Sequence, residues 1–377
     1  MDWLRVLAML AVFLFHSSRF FGGGEWHLNN GTHSLSATIF IGFLDLWLMP
    51  LFFLITGVGS WYALERRTGS NYLFERAKRL LIPFYTVGLL ILIPPQFYFE
   101  MVSNHGYKGT FLGLLPIYIQ KIFDFKLTSP SGLLPMSFTG HFWFLKFLFL
   151  ISFILLPLML YLKSALGRRF IRILAGWCGK PGGIYLFIIP QIVIMIGTRS
   201  FFRGRYTWAE FLSFALLFLI GYLIPADKQF NEGLKKLLWI HLILGIIGMA
   251  AEAGMVFGLG YQYPKGEAFS MNFVLFQIVI SLASFSWIFF IVGMASRYLN
   301  FNHTFLQYSN EAVLPFYIFH QTIILCVGWF VIQWRIPIFL KYSIIVSISF
   351  FFIMLLYEIA AKRTNSTRFL FGMRPKS

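Results

Sequence analysis

The sequence predicts an all-α protein: a polytopic transmembrane helix bundle of about ten spans, both termini cytoplasmic, forming a single integral-membrane domain over residues 1–377. Three observations predict it. Hydrophobic residues fill 58% of the 377 positions and charged residues only 12%, against roughly 25% charged in soluble domains. Apolar runs long enough to cross a hydrocarbon core of about 30 Å, roughly 20 residues each, recur between clusters of Gly, Pro and charge. Lys and Arg collect in alternate connections, as they do when basic residues are held on the cytoplasmic side.

The runs place helices near Trp3–Phe21, Thr38–Ala63, Leu80–Val102, Gly140–Leu162, Gly183–Phe202, Trp208–Pro225, Leu237–Gly258, Ser270–Ser296, Asn310–Gln333 and Tyr342–Ala361. The fifth is the weakest because it contains Pro190. The first run ends on Arg19, Phe20 and Phe21 where a signal peptidase requires small residues, so it is expected to stay as a helix. Loops 64–79, 163–182, 226–236 and 297–309 with the tail 361–377 carry nineteen Lys and Arg, and the alternate connections carry nine, Arg199 at the end of the fifth run included. Arg199, Arg203 and Arg205 dissent, since the topology puts them outside.

The formal charge of +17 comes from 31 Lys and Arg dispersed among apolar runs, which speaks for membrane topology and against a nucleic-acid partner. The lipid bilayer is the first partner. Cys178 lies in a basic loop and Cys326 inside an apolar run, so neither a disulfide framework nor a metal-ligand set is expected. No internal repeat is apparent, which weakens a transporter built from paired halves.

Ionisable residues inside apolar runs are costly and usually functional. Arg5 and His16 are eleven residues apart in the first helix. At 100° per residue both side chains return to one face, about 16 Å apart along the axis. Arg5 falls at the cytoplasmic edge and His16 well inside the hydrocarbon. A neutral imidazole in such a place suits general-base chemistry on a hydroxyl, although a histidine packing against a neighbouring helix would have the same pattern. Arg76 and Arg79 precede the third run, three apart and so neighbours on a helix. Their guanidinium forks suit phosphate oxygens, and simple topological charge is the plainer account. On the opposite side Trp26, His27, Asp45, His141 and Trp143 are expected near one membrane surface, a set able to stack on and hydrogen-bond a sugar-like acceptor or to serve as an aromatic belt. His320 is expected at a depth comparable to His16, with Glu311 nine residues earlier on the opposite face of an ideal helix, so no direct pair between them is expected.

Taken together these segments resemble the acyltransferase-3 family of membrane acyltransferases. Arg5 with His16 matches that family's Arg/Lys-x10-His signature and Arg76 with Arg79 its Arg-x-x-Arg motif; Met49–Gly57 and His141–Leu145 are similar to further family segments. Trp26-His27, Pro94–Phe97 and Pro315–Gln321 look most like the periplasmic-glucan biosynthesis protein C branch, associated with glucan succinylation. The resemblance implies a multi-pass protein of the cell (inner) membrane. It would use acyl-CoA as co-substrate with no bound cofactor, Arg5, Arg76 and Arg79 on the donor, and His16 as general base. The acceptor would be a carbohydrate-type hydroxyl, reached near Trp26, His27, Asp45, His141 and Trp143, with Glu311 and His320 in support. A transporter or flippase for a lipid-linked or anionic substrate is the alternative, and a non-catalytic scaffold a third.

The distribution of basic residues predicts that reporters fused at Ser377 and within 64–79 read cytoplasmic, while one near Asn30 reads exterior. An exterior signal at Ser377 would require an odd number of spans.

Overall fold

A computed structural model describes residues 1–24, 26–123, 139–261 and 268–376, and the fusion point Ser377 lies outside them. Helices α1 (Asp2–Ser18) and α2 (Leu35–Arg66) are followed by α3 (Gly69–Pro83) and α4 (Ile93–Asn104), joined by a π turn over Phe84–Leu92. Next come α5 (Phe111–Ile122), α6 (Trp143–Ile154), α7 (Leu156–Leu162), α8 (Ala165–Cys178), α9 (Ile188–Arg199) and α10 (Trp208–Leu223). Then follow α11 (Lys228–Lys236), α12 (Leu238–Ala253), α13 (Met271–Tyr298), α14 (Thr304–Val331), α15 (Ile338–Leu356) and the short α16 (Asn365–Leu370). There is no strand among the described residues.

Eight of these helical runs are long and apolar enough to cross a membrane, or nine if the bent pair α6–α7 is one span, against the ten expected. The chain is a multi-pass membrane protein. The shortfall lies at the fifth expected helix, where a 3-10 turn at Gly183–Phe187 precedes the twelve residues of α9. The fourth expected helix breaks at Leu155 with a bend of 49°, next to Pro157 in the first turn of α7, because proline supplies no N–H to a preceding turn.

The third expected helix starts eleven residues early. Thr68 accepts a bond from the Asn71 amide and caps α3, so Arg76 and Arg79 ride on one helical run, Gly69–Asn104, and not on a loop. In its middle Pro94 has no N–H for the Leu89 carbonyl, which accepts instead from the Tyr118 hydroxyl at 2.6 Å. α2 passes through Pro50 as one helix.

The dissenting arginines have local partners. Arg199 is buried, bonded to Glu210 at 2.7 Å and to the Gly204 carbonyl at 2.7 Å, and Arg205 meets Asp45 at 3.4 Å.

The core joint is α2 against α10. A Cβ on Gly57 would stand 1.9 Å from the Phe218 carbonyl oxygen, and one on Gly221 would stand 1.9 Å from that of Leu54. In lipid, small residues drive helix association by letting backbones approach. Gly57→Ala and Gly221→Ala should therefore each cost about 1–3 kcal/mol of stability, read as a lowered melting temperature in detergent. Gly42→Ala, whose Cβ meets nothing within 4 Å, should melt like the parent protein.

Candidate functional site

Residues from α1, α4, α14, the turn before α6 and the connection after α1 meet in a cluster of imidazoles within the bundle. The His320 ring centroid lies 5.1 Å from that of His16 and 4.8 Å from that of His141. His16 lies on α1 and His320 on α14. His141 is carried by the single 3-10 turn before α6, entered through Gly140 at φ +49°, a left-handed conformation that favours glycine. Trp26 stacks on His16 at 6.1 Å and 21°.

A hydrogen-bond chain assigns donor and acceptor nitrogens to His27, His141 and His320, since a neutral imidazole has one of each. His27 Nδ1 faces a Glu100 carboxylate oxygen at 2.8 Å, so it donates, and its Nε2 accepts from Gln321 Nε2 at 2.9 Å. Gln321 Nε2 also donates to Gln96 Oε1 at 3.3 Å, and Gln96 Nε2 donates to Thr322 Oγ1 at 2.8 Å and to His141 Nδ1 at 3.3 Å. His141 Nε2 then donates to the Tyr317 carbonyl at 3.0 Å. The same oxygen accepts from His320 Nδ1 at 2.6 Å. His320 is left with Nε2 as a lone-pair acceptor that is buried and has no partner, and His16 Nδ1 is likewise buried without one. Two imidazoles thus stand side by side, each with a buried ring nitrogen that has no partner, and for His320 that nitrogen is the acceptor.

Eleven residues back along α1, Arg5 lines a cavity of about 670 Å³ at the end of the bundle that holds both chain termini. Arg79, Arg368 and Arg374 line it too, with Asp2 and Glu311. The cavity volume falls in the range of about 300–1,000 Å³ that small-molecule sites occupy. Arg5 Nη1 bonds Asp2 at 3.3 Å, and Arg368 forms an ion pair with Glu311. Arg76 sends Nη2 to Ser60 Oγ at 2.7 Å and is not among the lining residues. The structure therefore brings Arg5 and Arg79 together at the cavity and puts Arg76 one turn away on α3.

The set expected on the acceptor side divides in two. Trp26, His27 and His141 belong to the imidazole cluster. Trp143 and Asp45 belong to a neighbouring group, in which Trp143 packs against Tyr206 at 4.4 Å and Asp45 meets Arg205. Tyr206 is a non-glycine residue at φ +60°, a strained conformation that usually marks a functional segment. Glu311 bonds Arg368 and Tyr357 and has no bond to His320, as their opposite helical faces require.

Sequence reasoning missed Gln96, Thr322, Tyr317, Glu100, Arg368 and Arg374. Lys146 is a further surprise, a fully buried lysine with Nζ 5.0 Å from the Phe84 ring centroid. Gln96 and Tyr317 lay within Pro94–Phe97 and Pro315–Gln321, segments noticed only for their resemblance. No group of three His, Cys, Asp or Glu is set to hold a metal ion among the described residues. Both cysteines are free, and burial pushes the Cys178 thiol up to about 11, which leaves it unreactive.

A family described as "Acyltransferase domain" matches residues 1–358. Glucans biosynthesis protein C of Escherichia coli SMS-3-5 is 22% identical over 338 residues, covering 88% of this chain and 83% of that protein. The proteins of the same name from strains O1:K1 and K12 match to the same extent. No solved structure matches.

Gln96 is the branch point of the polar chain, so Gln96→Leu should leave the His141 Nδ1 acceptor without a donor. Breaking it should cost about 1–3 kcal/mol and let the His141 ring reorient. The first effect is read by detergent melting and the second by imidazole nitrogen NMR shifts. Unchanged His141 shifts would show that the Tyr317 carbonyl alone holds the ring.

Proposed function

The chain belongs to the acyltransferase-3 family, and from that membership we propose that it moves an acetyl- or succinyl-class acyl group from cytoplasmic acyl-CoA to a carbohydrate hydroxyl presented from the far side of the membrane. The cell (inner) membrane, with both termini cytoplasmic, is the setting this requires. The observation that carries the proposal is that α1 holds Arg5 at the arginine-lined cavity and His16 in the imidazole cluster. One face of one helix therefore links an anion-binding chamber to a proton acceptor.

The donor's phosphates sit at the cavity, with Arg5 and Arg79 lining it and Arg76 adding charge from the next turn. The pantetheine arm runs along α1 toward His16. An acceptor hydroxyl enters past Trp26 and His27, where an indole stacked beside an imidazole offers a sugar an apolar face and a polar edge. The free ring nitrogen of His16 takes the hydroxyl proton as the oxygen attacks the thioester carbonyl. The new C–O bond forms, the C–S bond breaks, and the proton returns from His16 to the departing thiolate, giving free CoA and an O-acyl ester. His320 stands beside His16 with its own acceptor nitrogen open and supports it. The name of the relatives supports a carbohydrate acceptor, and Trp143 and Asp45, apart from the cluster, serve as a second contact for the same acceptor.

His16→Ala should lower kcat by about 10²–10⁴-fold while acyl-CoA binding persists. Arg79→Ala, and to a smaller degree Arg76→Ala, should chiefly raise KM for acyl-CoA, high salt should imitate part of that rise, and Lys should rescue only partly because it lacks the planar fork. Steady-state transfer of labelled acyl groups by monodisperse variants measures both. Full activity in His16→Ala would end the general-base role. Acyl-CoA binding without any turnover by the parent protein would favour a carrier over an enzyme.

A further inference from the structure

The last fifteen residues before Ser377 are bonded into the protein at every turn. α16 starts at a capping box in which Thr364 and Thr367 each accept the other's amide. Phe371 is buried and packs on Phe319 of α14 at 4.8 Å. Arg368 is buried, held by Glu311, and its Nε donates to the Arg374 carbonyl at 2.6 Å. The Gly372 carbonyl accepts from Arg79 Nε at 3.2 Å. Gly372 adopts φ +66°, and a Cβ there would lie 2.5 Å from the Arg79 carbonyl oxygen. Only glycine lets the tail pass this close to α3.

This folding brings Arg374 to the cavity beside Arg5 and Arg79. Among the residues lining it, Asp2 is matched with Arg5 and Glu311 with Arg368. Arg79 and Arg374 have no acid of their own there. Arg79 spends Nε on Gly372 and keeps its terminal nitrogens, and Arg374, a solvent-exposed residue, has no guanidinium hydrogen bond among the described residues. Arg374, Arg5 and Arg76 all lie near enough to Arg79 to repel it. Like charges gathered around one cavity are stabilised by a bound anion, and two open guanidinium forks suit phosphate oxygens.

We propose that the C-terminal tail is a wall of the donor site, with Arg374 and Arg79 together gripping a phosphate group of the donor nucleotide while Arg368, locked to Glu311, positions the tail. This rests on acyl-CoA being the donor. A lipid phosphate reaching the same cavity offers similar chemistry, and the test separates the two sources.

The test is equilibrium binding of CoA and of adenosine 3′,5′-bisphosphate to full-length protein in nanodiscs made with neutral or with anionic lipid. Arg374→Ala should weaken both ligands by about tenfold to a hundredfold, the range for losing a charged hydrogen bond, with the ligand-free melting temperature unchanged. Arg374→Lys should recover part of the affinity. Gly372→Ala, which removes no charge, should weaken CoA by lifting the tail off Arg79. If Arg374→Ala binds CoA like the parent, the tail inference falls and the donor assignment stands. If the parent binds neither probe, the donor assignment itself falls. If anionic lipid competes with CoA and Arg374→Ala abolishes only that competition, the phosphate held by Arg374 belongs to a lipid and the inference is overturned.

Discussion

The carbonyl oxygen of Tyr317 accepts an N–H from His141 and another from His320. Water is scarce at this depth, so a polar group must find its partner inside the protein or pay the full cost of desolvation. A helical carbonyl can accept beyond its backbone bond because it has two lone pairs, and here two imidazoles gather at one such oxygen. Each ring is then committed to one tautomer: His141 turns its acceptor toward Gln96, and His320, whose ring lies 5.1 Å from that of His16, keeps its acceptor unpartnered. The Tyr317 hydroxyl in turn bonds the His141 backbone carbonyl, so the turn before α6 and helix α14 are stitched twice at the point where the chemistry is placed.

Charge is handled differently at the two levels of the bundle. In the imidazole cluster hydrogen bonds tie the polar groups to one another, and the Glu100 carboxylate is met by His27 at 2.8 Å. At the termini, arginines gather beside a cavity and only some of them are matched by acids. α1 joins the two levels. Because it is one uninterrupted helix, the spacing between Arg5 and His16 is set by the helical rise and not by loops that would let it drift.

Much of the fold was legible because hydropathy reports the solvent of each segment directly, and bilayer thickness sets the length to look for. What failed was local: the Thr68 cap that lengthens the third helix, Pro157 beside the break of the fourth, and the 3-10 turn that shortens the fifth. Arg5 and His16 were legible because helical periodicity needs no tertiary information. The polar chain was not. Gln96 and Thr322 are uncharged, common in such helices as packing contacts, and 226 residues apart, so nothing local marks them as partners. His141 was grouped with Trp143 because they are neighbours in sequence, yet the left-handed Gly140 turns the imidazole inward while Trp143 begins α6. Arg368 and Arg374 were counted as topological charge, since a basic tail looks the same whether or not it folds back onto a cavity.

The meeting of Asp2 and Arg5 with Arg374 at one cavity also bears on how the protein is made. Ribosomes add about 5–20 residues per second, so the first helix waits roughly 20–70 s for the residues that close the cavity around it. For that interval the growing chain has its imidazole helix in the bilayer and no finished pocket beside it. A growing copy that has not yet added α16 and Arg374 therefore holds Arg5 and His16 in the bilayer without the groups that wall the cavity beside Arg5.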